Sequence, residues 1–373
     1  MATRTNTRRA IRGLVAGVAL GAVAVAVVDA IRPRPGPARI VDWDQIEEEA
    51  VGRLDRSDAI DGRRLGSLQA RYRKLAGDLE GALLGFVGGE PVTLAPFEAL
   101  DRYGWVQLNV GIMRDALEPL VAFESQLPNS RLVEVGRGFL TRYVGLILGF
   151  LSGRVLGQYD PQLLGREPAG RPGLYLVEPN IAAWEAEANL PGEALRSWLI
   201  LHEMTHAWQF GAHPWLRDHL NGMLKEVLSA AISRRQGPVE RVLAVTVGVR
   251  RQLEVITQVQ ATMSLVEGYS NLVMDVVGRE VLADFEALDS AHQARAGRKT
   301  IFERLFWKLT GLELKLQQYV VGERFCRQIN DRHGIAYLNR AWEGPAMLPT
   351  AAELREPELW ARRVGSDRGR STA

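Results

Sequence analysis

The run Leu201-His202-Glu203-Met204-Thr205-His206 places two imidazoles four residues apart, and on a helix residues at that spacing stand one above the other. His202 and His206 can therefore close on a single cation. Glu203 stands beside that cation, placed to take a proton from a water whose pKa zinc lowers to about 7. Such residues imply metal-assisted hydrolysis. A catalytic zinc site needs a third protein ligand and a position left open for water. Glu267 is the candidate. At helical spacing it shares an apolar face with Ile256, Met263 and Met274, so it points inward. No Lys or Arg occurs from Leu253 to Gly278, so a cation brought by another helix would offset the cost of burying that carboxylate, as a more distant Arg also could. His213 competes for the same role, but Gly211 and Pro214 predict that the helix stops before it. His213 and His219 read as supporting, surface or structural residues.

The helix that must carry the histidines opens at Pro191-Gly192-Glu193 and closes at Gly211. Leu195 and Leu199 continue the histidine stripe seven residues upstream, which sets that face against the core. The short apolar run Gly173–Val177, followed by Pro179, is the clearest strand. It is either a core strand or an edge able to pair with an extended peptide. Elsewhere the pattern is helical: a capped start at Asp42, helices through 65–85 and 104–120, two more over 301–321 and 323–332, and a last one carrying Trp360. Residues 91–103 read as a turn and 291–299 as a polar loop. Glycines recur every fourth position at Gly145, Gly149, Gly153 and Gly157, a helix face that lets another backbone approach closely. The fold class expected is mainly α with a minor β component near 174–177.

The chain has 373 residues and a net charge of +2 from 46 basic and 44 acidic side chains. No global field favours nucleic acid. A single cysteine, Cys326, excludes an internal disulfide framework. The first forty residues differ: Arg4, Arg8, Arg9 and Arg12 precede an uncharged run from Gly13 to Val28, and a Pro-rich linker follows. This reads as a membrane anchor or an export signal, with the arginine bias putting the catalytic part outside the cytoplasm; a cytoplasmic chain is the alternative. The expected organisation is anchor and linker over 1–40, a single domain over 41–364 and a polar tail over 365–373.

Leu201-His202-Glu203-Met204-Thr205-His206-Ala207-Trp208-Gln209-Phe210, Pro214 to Leu220, Glu267-Gly268 and Val273-Met274-Asp275 together resemble the bacterial zincin-like hydrolases, a family often described as associated with deazaflavin coenzyme biosynthesis. The likeness extends to Val41-Asp42-Trp43-Asp44, Leu156 to Asp160, Glu178-Pro179-Asn180-Ile181 and Leu348-Pro349-Thr350. The resemblance implies a mostly helical zincin-like fold, zinc as cofactor, a peptide or protein substrate, metal histidines at His202 and His206 and a general base at Glu203. The chain departs at Tyr269, where the family's stretch reads Glu-Gly-His. Tyr269 and Tyr319 are candidates to steady an oxyanion. The alternative function is a non-proteolytic zincin-like binding or scaffold module with a structural zinc.

Overall fold

The computed structural model describes residues 41–55, 59–89, 91–121, 131–163, 173–232, 240–297 and 313–367. In chain order its elements are α1 (Trp43–Val51), α2 (Gly62–Val87), β1 (Phe97–Leu100), α3 (Arg102–Val121), α4 (Arg131–Ser152), β2 (Gly157–Asp160), β3 (Gly173–Val177), α5 (Glu178–Ala188), α6 (Gly192–Gly211), α7 (Pro214–Ile232), α8 (Glu240–Val281), α9 (Phe285–Gly297), α10 (Glu313–His333), α11 (Ile335–Leu338), α12 (Ala351–Arg355) and α13 (Pro357–Asp367). The fold is mainly α with one small sheet, as the sequence implied.

The chain forms two compact units, one from residues up to Arg56 together with Tyr103–Gly153, the other from Ser57–Arg102 together with Arg154–Ala373. In the first, the Asp42 side chain caps α1 by accepting from the Gln45 backbone N–H. Gly145 and Gly149 let α4 lie against α1: a Cβ on either would stand 3.0 Å from a backbone oxygen, that of Ile46 or Ala50. The other two glycines of that series do different work. Gly153 has open space around it, and Gly157 has left the helix for β2.

In the second unit the sheet order is β1-β3-β2. β3 pairs parallel with β1, Leu174 opposite Phe97, and antiparallel with β2, Leu176 opposite Gly157. The strand seen in the sequence is thus the central one, and the edge beside the histidine helix belongs to β2. β1 and β2 went unrecognised because each is four residues long and gains its hydrogen bonds only from distant chain. Pro179 does not merely end β3; it sits in the first turn of α5, where its missing N–H is not needed. The polar stretch expected as a loop is largely helix α9, and over the described residues 313–332 the two helices expected on either side of Gly322 run as one, α10. Thr350 and Glu353 form a reciprocal capping box on α12, and Trp360 lies on the next helix, α13.

The expected membrane anchorage, with its extracytoplasmic placement, is corrected: among the described residues no helix is long and apolar enough to cross a membrane. The N-terminal run over which it was expected lies outside the described residues.

Candidate metal centre

From Leu195 to Phe210 every side chain of α6 except that of His202 is buried. A helix so enclosed must satisfy its polar groups internally, and each partner found this way fixes the site. Arg196 donates to Glu185 Oε2 and to the Gly192 carbonyl, both at 2.7 Å, and pairs with the buried Glu178. Tyr72 on α2 donates to Glu178 Oε2, which also accepts from Arg196 Nε at 3.3 Å. This network ties α2, α5 and α6 together two turns upstream of His202.

Downstream, His206 Nδ1 lies 2.9 Å from Gln209 Oε1 and 3.2 Å from Ser270 Oγ. Gln209 Nε2 donates to the Val266 carbonyl at 2.9 Å, so its oxygen is the acceptor facing the imidazole. His206 therefore carries its proton on Nδ1, which leaves the Nε2 lone pair free to bind a cation. The same glutamine stitches α6 to α8 beside Glu267. Its sequence signal was its place three residues after His206, on the same face of the helix.

His206 Nε2 and His202 Nε2 are 3.2 Å apart, and Glu267 Oε2 lies 3.7 Å from the first and 3.9 Å from the second. Among the described residues these three side chains form a group that could hold a metal ion. Two donors on one tetrahedral zinc stand roughly 3.3 Å apart. The imidazole pair already has that spacing, and the carboxylate needs to close by about half an ångström, within reach of a side-chain rotation. The donor set of two imidazoles and one carboxylate suits zinc. Desolvation, then the nearby His206 and His292, hold the His202 imidazole well below its ordinary pKa, so it too presents a lone pair. The site opens on the side of His202 and Glu267, whose side chains are 23% and 22% exposed, against 10% for His206.

Glu203 is buried against the sheet edge. A Cβ on Gly157 would stand 2.5 Å from Glu203 Oε1, so only glycine admits the carboxylate there. Leu156 O accepts from Val177 N at 2.8 Å; in an antiparallel ladder this turns the backbone groups of Gly157 and Tyr159 away from β3, and the Tyr159 N–H bonds to Glu203. Burial, followed by the charge of Glu267, pushes the Glu203 carboxyl up to about 8, with the Tyr159 hydrogen bond pulling the other way. A divalent cation alongside lowers it again.

The remaining sequence candidates fall elsewhere. Tyr269 is fully buried, stacked on Trp208 at 5.7 Å, and its hydroxyl donates to Asn339 Oδ1 at 2.7 Å. It faces the core and cannot reach an oxyanion at the site. The side chain of Tyr319 lies outside the described ones. His213 Nδ1 bonds the Gln209 carbonyl at 3.0 Å, and its ring packs on Trp208 and Trp342; His219 packs on Trp215. Both are structural. His292 on α9, not singled out in the sequence, rests on Trp198 with ring centroids 5.0 Å apart.

The zincin-like metallopeptidase model matches residues 41–361. The chain belongs to that family. A crystal structure described as a candidate hydrolase with a novel fold, from Chloroflexus aurantiacus, is similar to this zincin-like chain at 32% identity, with a TM-score of 0.66, over 87% of this chain and 99% of the other. No match was found among curated proteins. Family and neighbour alike make the zincin-like chain a protein of the hydrolase kind; neither points to a deazaflavin coenzyme.

Proposed function

We propose that the protein is a zinc-dependent peptidase in which His202, His206 and Glu267 hold the ion and Glu203 is the general base. The convergence of the two Nε2 atoms and Glu267 Oε2 from separate helices carries this reading. Zinc held there would supply Lewis acidity and would lower the pKa of a bound water to about 7. Glu203, on the helix between the two histidines, accepts the proton of the attacking water and delivers it to the leaving amine. Gln209 and Ser270 hold the His206 ring in one tautomer. The Gly157 backbone groups and the Tyr159 carbonyl, which face away from β3 beside Glu203, suit an extended peptide as substrate, the Tyr159 N–H being given to Glu203. A closed structural site takes four protein ligands, whereas three donors converge here among the described residues, which favours catalysis over a scaffold role.

The test compares wild type with Glu203→Gln for bound zinc and for hydrolysis of a peptide mixture. Both should retain one equivalent of zinc, and the variant should lose at least about a hundredfold in rate. Failure to bind zinc, or full activity in the variant, refutes the proposal.

A further inference from the structure

Beside the metal centre a cleft of about 320 Å³ runs along α6, bounded by residues 92–95, Tyr159, Ala207 and Gly211. We propose that it reads one apolar side chain of an extended peptide substrate; this rests on the reading of the site as a peptidase and assigns its side-chain preference. The cleft begins close to the chemistry. Ala207 stands one helical turn beyond Glu203 and Gly211 two turns, so the near wall is roughly 6 Å along the helix from the general base. Tyr159 joins the two places: its backbone N–H bonds to Glu203 while the residue lines the cleft, its ring packed on Phe210 at 5.6 Å.

The lining defines the occupant. No lining residue is charged, so a Lys or Asp side chain would lose its hydration without gaining a partner, whereas an apolar one gains by leaving water. On the helix wall Ala207 carries only a methyl group, which leaves width beside it for a Leu- or Phe-sized group. At the far end Gly211 meets the 92–95 segment directly, since a Cβ on it would stand 2.4 Å from Val92 Cγ1. A peptide laid along the Gly157 backbone groups and the Tyr159 carbonyl of β2 sends alternate side chains to one face. The one that passes Tyr159 is the side chain assigned to the cleft, because Tyr159 lines it.

Thr93 is exposed at the rim, so it can be changed without touching the core. The full-length Glu203→Gln protein, loaded with zinc, serves as a binding-only background. Short Ala-rich peptides carrying one variable residue are titrated into it by calorimetry. Leu and Phe peptides should bind about ten- to a hundredfold more tightly than those carrying Ala or Lys, the gain from burying one such side chain. Adding Thr93→Glu should abolish that preference and strengthen Lys peptides about tenfold; adding Thr93→Trp should weaken Leu and Phe peptides alone. Zinc content, measured in each variant, should not change. Equal affinity for all peptides, no binding, or a Leu preference untouched by both Thr93 changes overturns the assignment. Selective binding without turnover by wild type leaves the cleft standing and sinks the peptidase; turnover without side-chain preference does the reverse.

Discussion

Replacing Gly322 with alanine should unsettle the protein at the crossing that holds Glu267. On α10 the Cβ would stand 1.8 Å from the Ser264 carbonyl oxygen and 2.6 Å from its carbon, and a Cβ on Gly268 of α8 would stand 2.1 Å from the Gly322 carbonyl carbon. Ordinary contact begins at 3.4 Å, so the helices are too close by about 1.6 Å for any side chain. The opposing atoms are backbone and cannot swing aside. Overpacking costs about 1–3 kcal/mol, with this site at the upper end. The better helix propensity of alanine returns up to about 1 kcal/mol, leaving a net loss of about 2 kcal/mol or more. Ser264 and Gly268 flank Glu267, so the strain falls on the turn that presents the carboxylate. Zinc affinity should drop at least about tenfold. Denaturant unfolding and competition with a chelator read the two effects. Gly77→Ala and Gly81→Ala on α2, where a Cβ meets nothing within 4 Å, are the control: the same chemical change should stabilise slightly. If Gly322→Ala also stabilises and binds zinc as wild type does, the crossing does not position Glu267.

Gln209→Leu removes the acceptor that fixes the His206 tautomer and should lower zinc affinity about 10- to 100-fold in chelator competition while the helix stays formed by circular dichroism. Arg196→Met strips the buried Glu178 of its counter-ion and should cost about 3–5 kcal/mol of unfolding free energy, whereas Tyr72→Phe, which removes one donor to the same carboxylate, should cost about 1–3. Partial burial would raise the pKa of Asp275, but hydrogen bonds and charge from Arg279 and Arg327 outweigh it and hold the group below its ordinary value of 3.8. A depressed folded-state pKa stabilises above the unfolded value and is lost as pH falls through the folded one. Asp275→Asn should therefore be less stable than wild type at neutral pH, with the gap closing below about pH 4 in denaturant melts.

What the sequence disclosed of the candidate site is what one helix can encode by itself. His202, Glu203 and His206 were legible because their spacing and the apolar stripe they continue are local properties of α6. Glu267 was legible for a different reason: a long stretch free of Lys and Arg makes an inward carboxylate conspicuous. The rest depends on chain brought from far away. Gly157 looked like the fourth member of a helical glycine series, and only its pairing opposite Leu176 and its contact with Glu203 give it its role. Gly322 looked like a helix break because glycine usually ends helices; here it is the place where two helices touch. Arg196 and Glu178 are eighteen residues apart, in separate elements, and nothing local couples them.

The failure of Tyr269 as an oxyanion candidate could have been foreseen, and it explains how α8 works. Successive residues on a helix turn by about 100°, so residues two apart face nearly opposite ways. Glu267 and Tyr269 cannot both serve one site. The four positions 267–270 instead point round the full circle. Glu267 faces the imidazoles. Gly268 admits the backbone of α10. Tyr269 enters the aromatic cluster of Trp208 and Trp342. Ser270, three residues after Glu267, returns to the site and meets His206 Nδ1 at 3.2 Å. One turn of helix thus supplies a metal-ligand candidate and a support for the opposing ligand on one side. On the other side it supplies the two packing contacts that fix its height and rotation. Rotating α8 by a single residue would exchange all four roles at once, so the packing of Gly268 and Tyr269 sets where the Glu267 carboxylate stands.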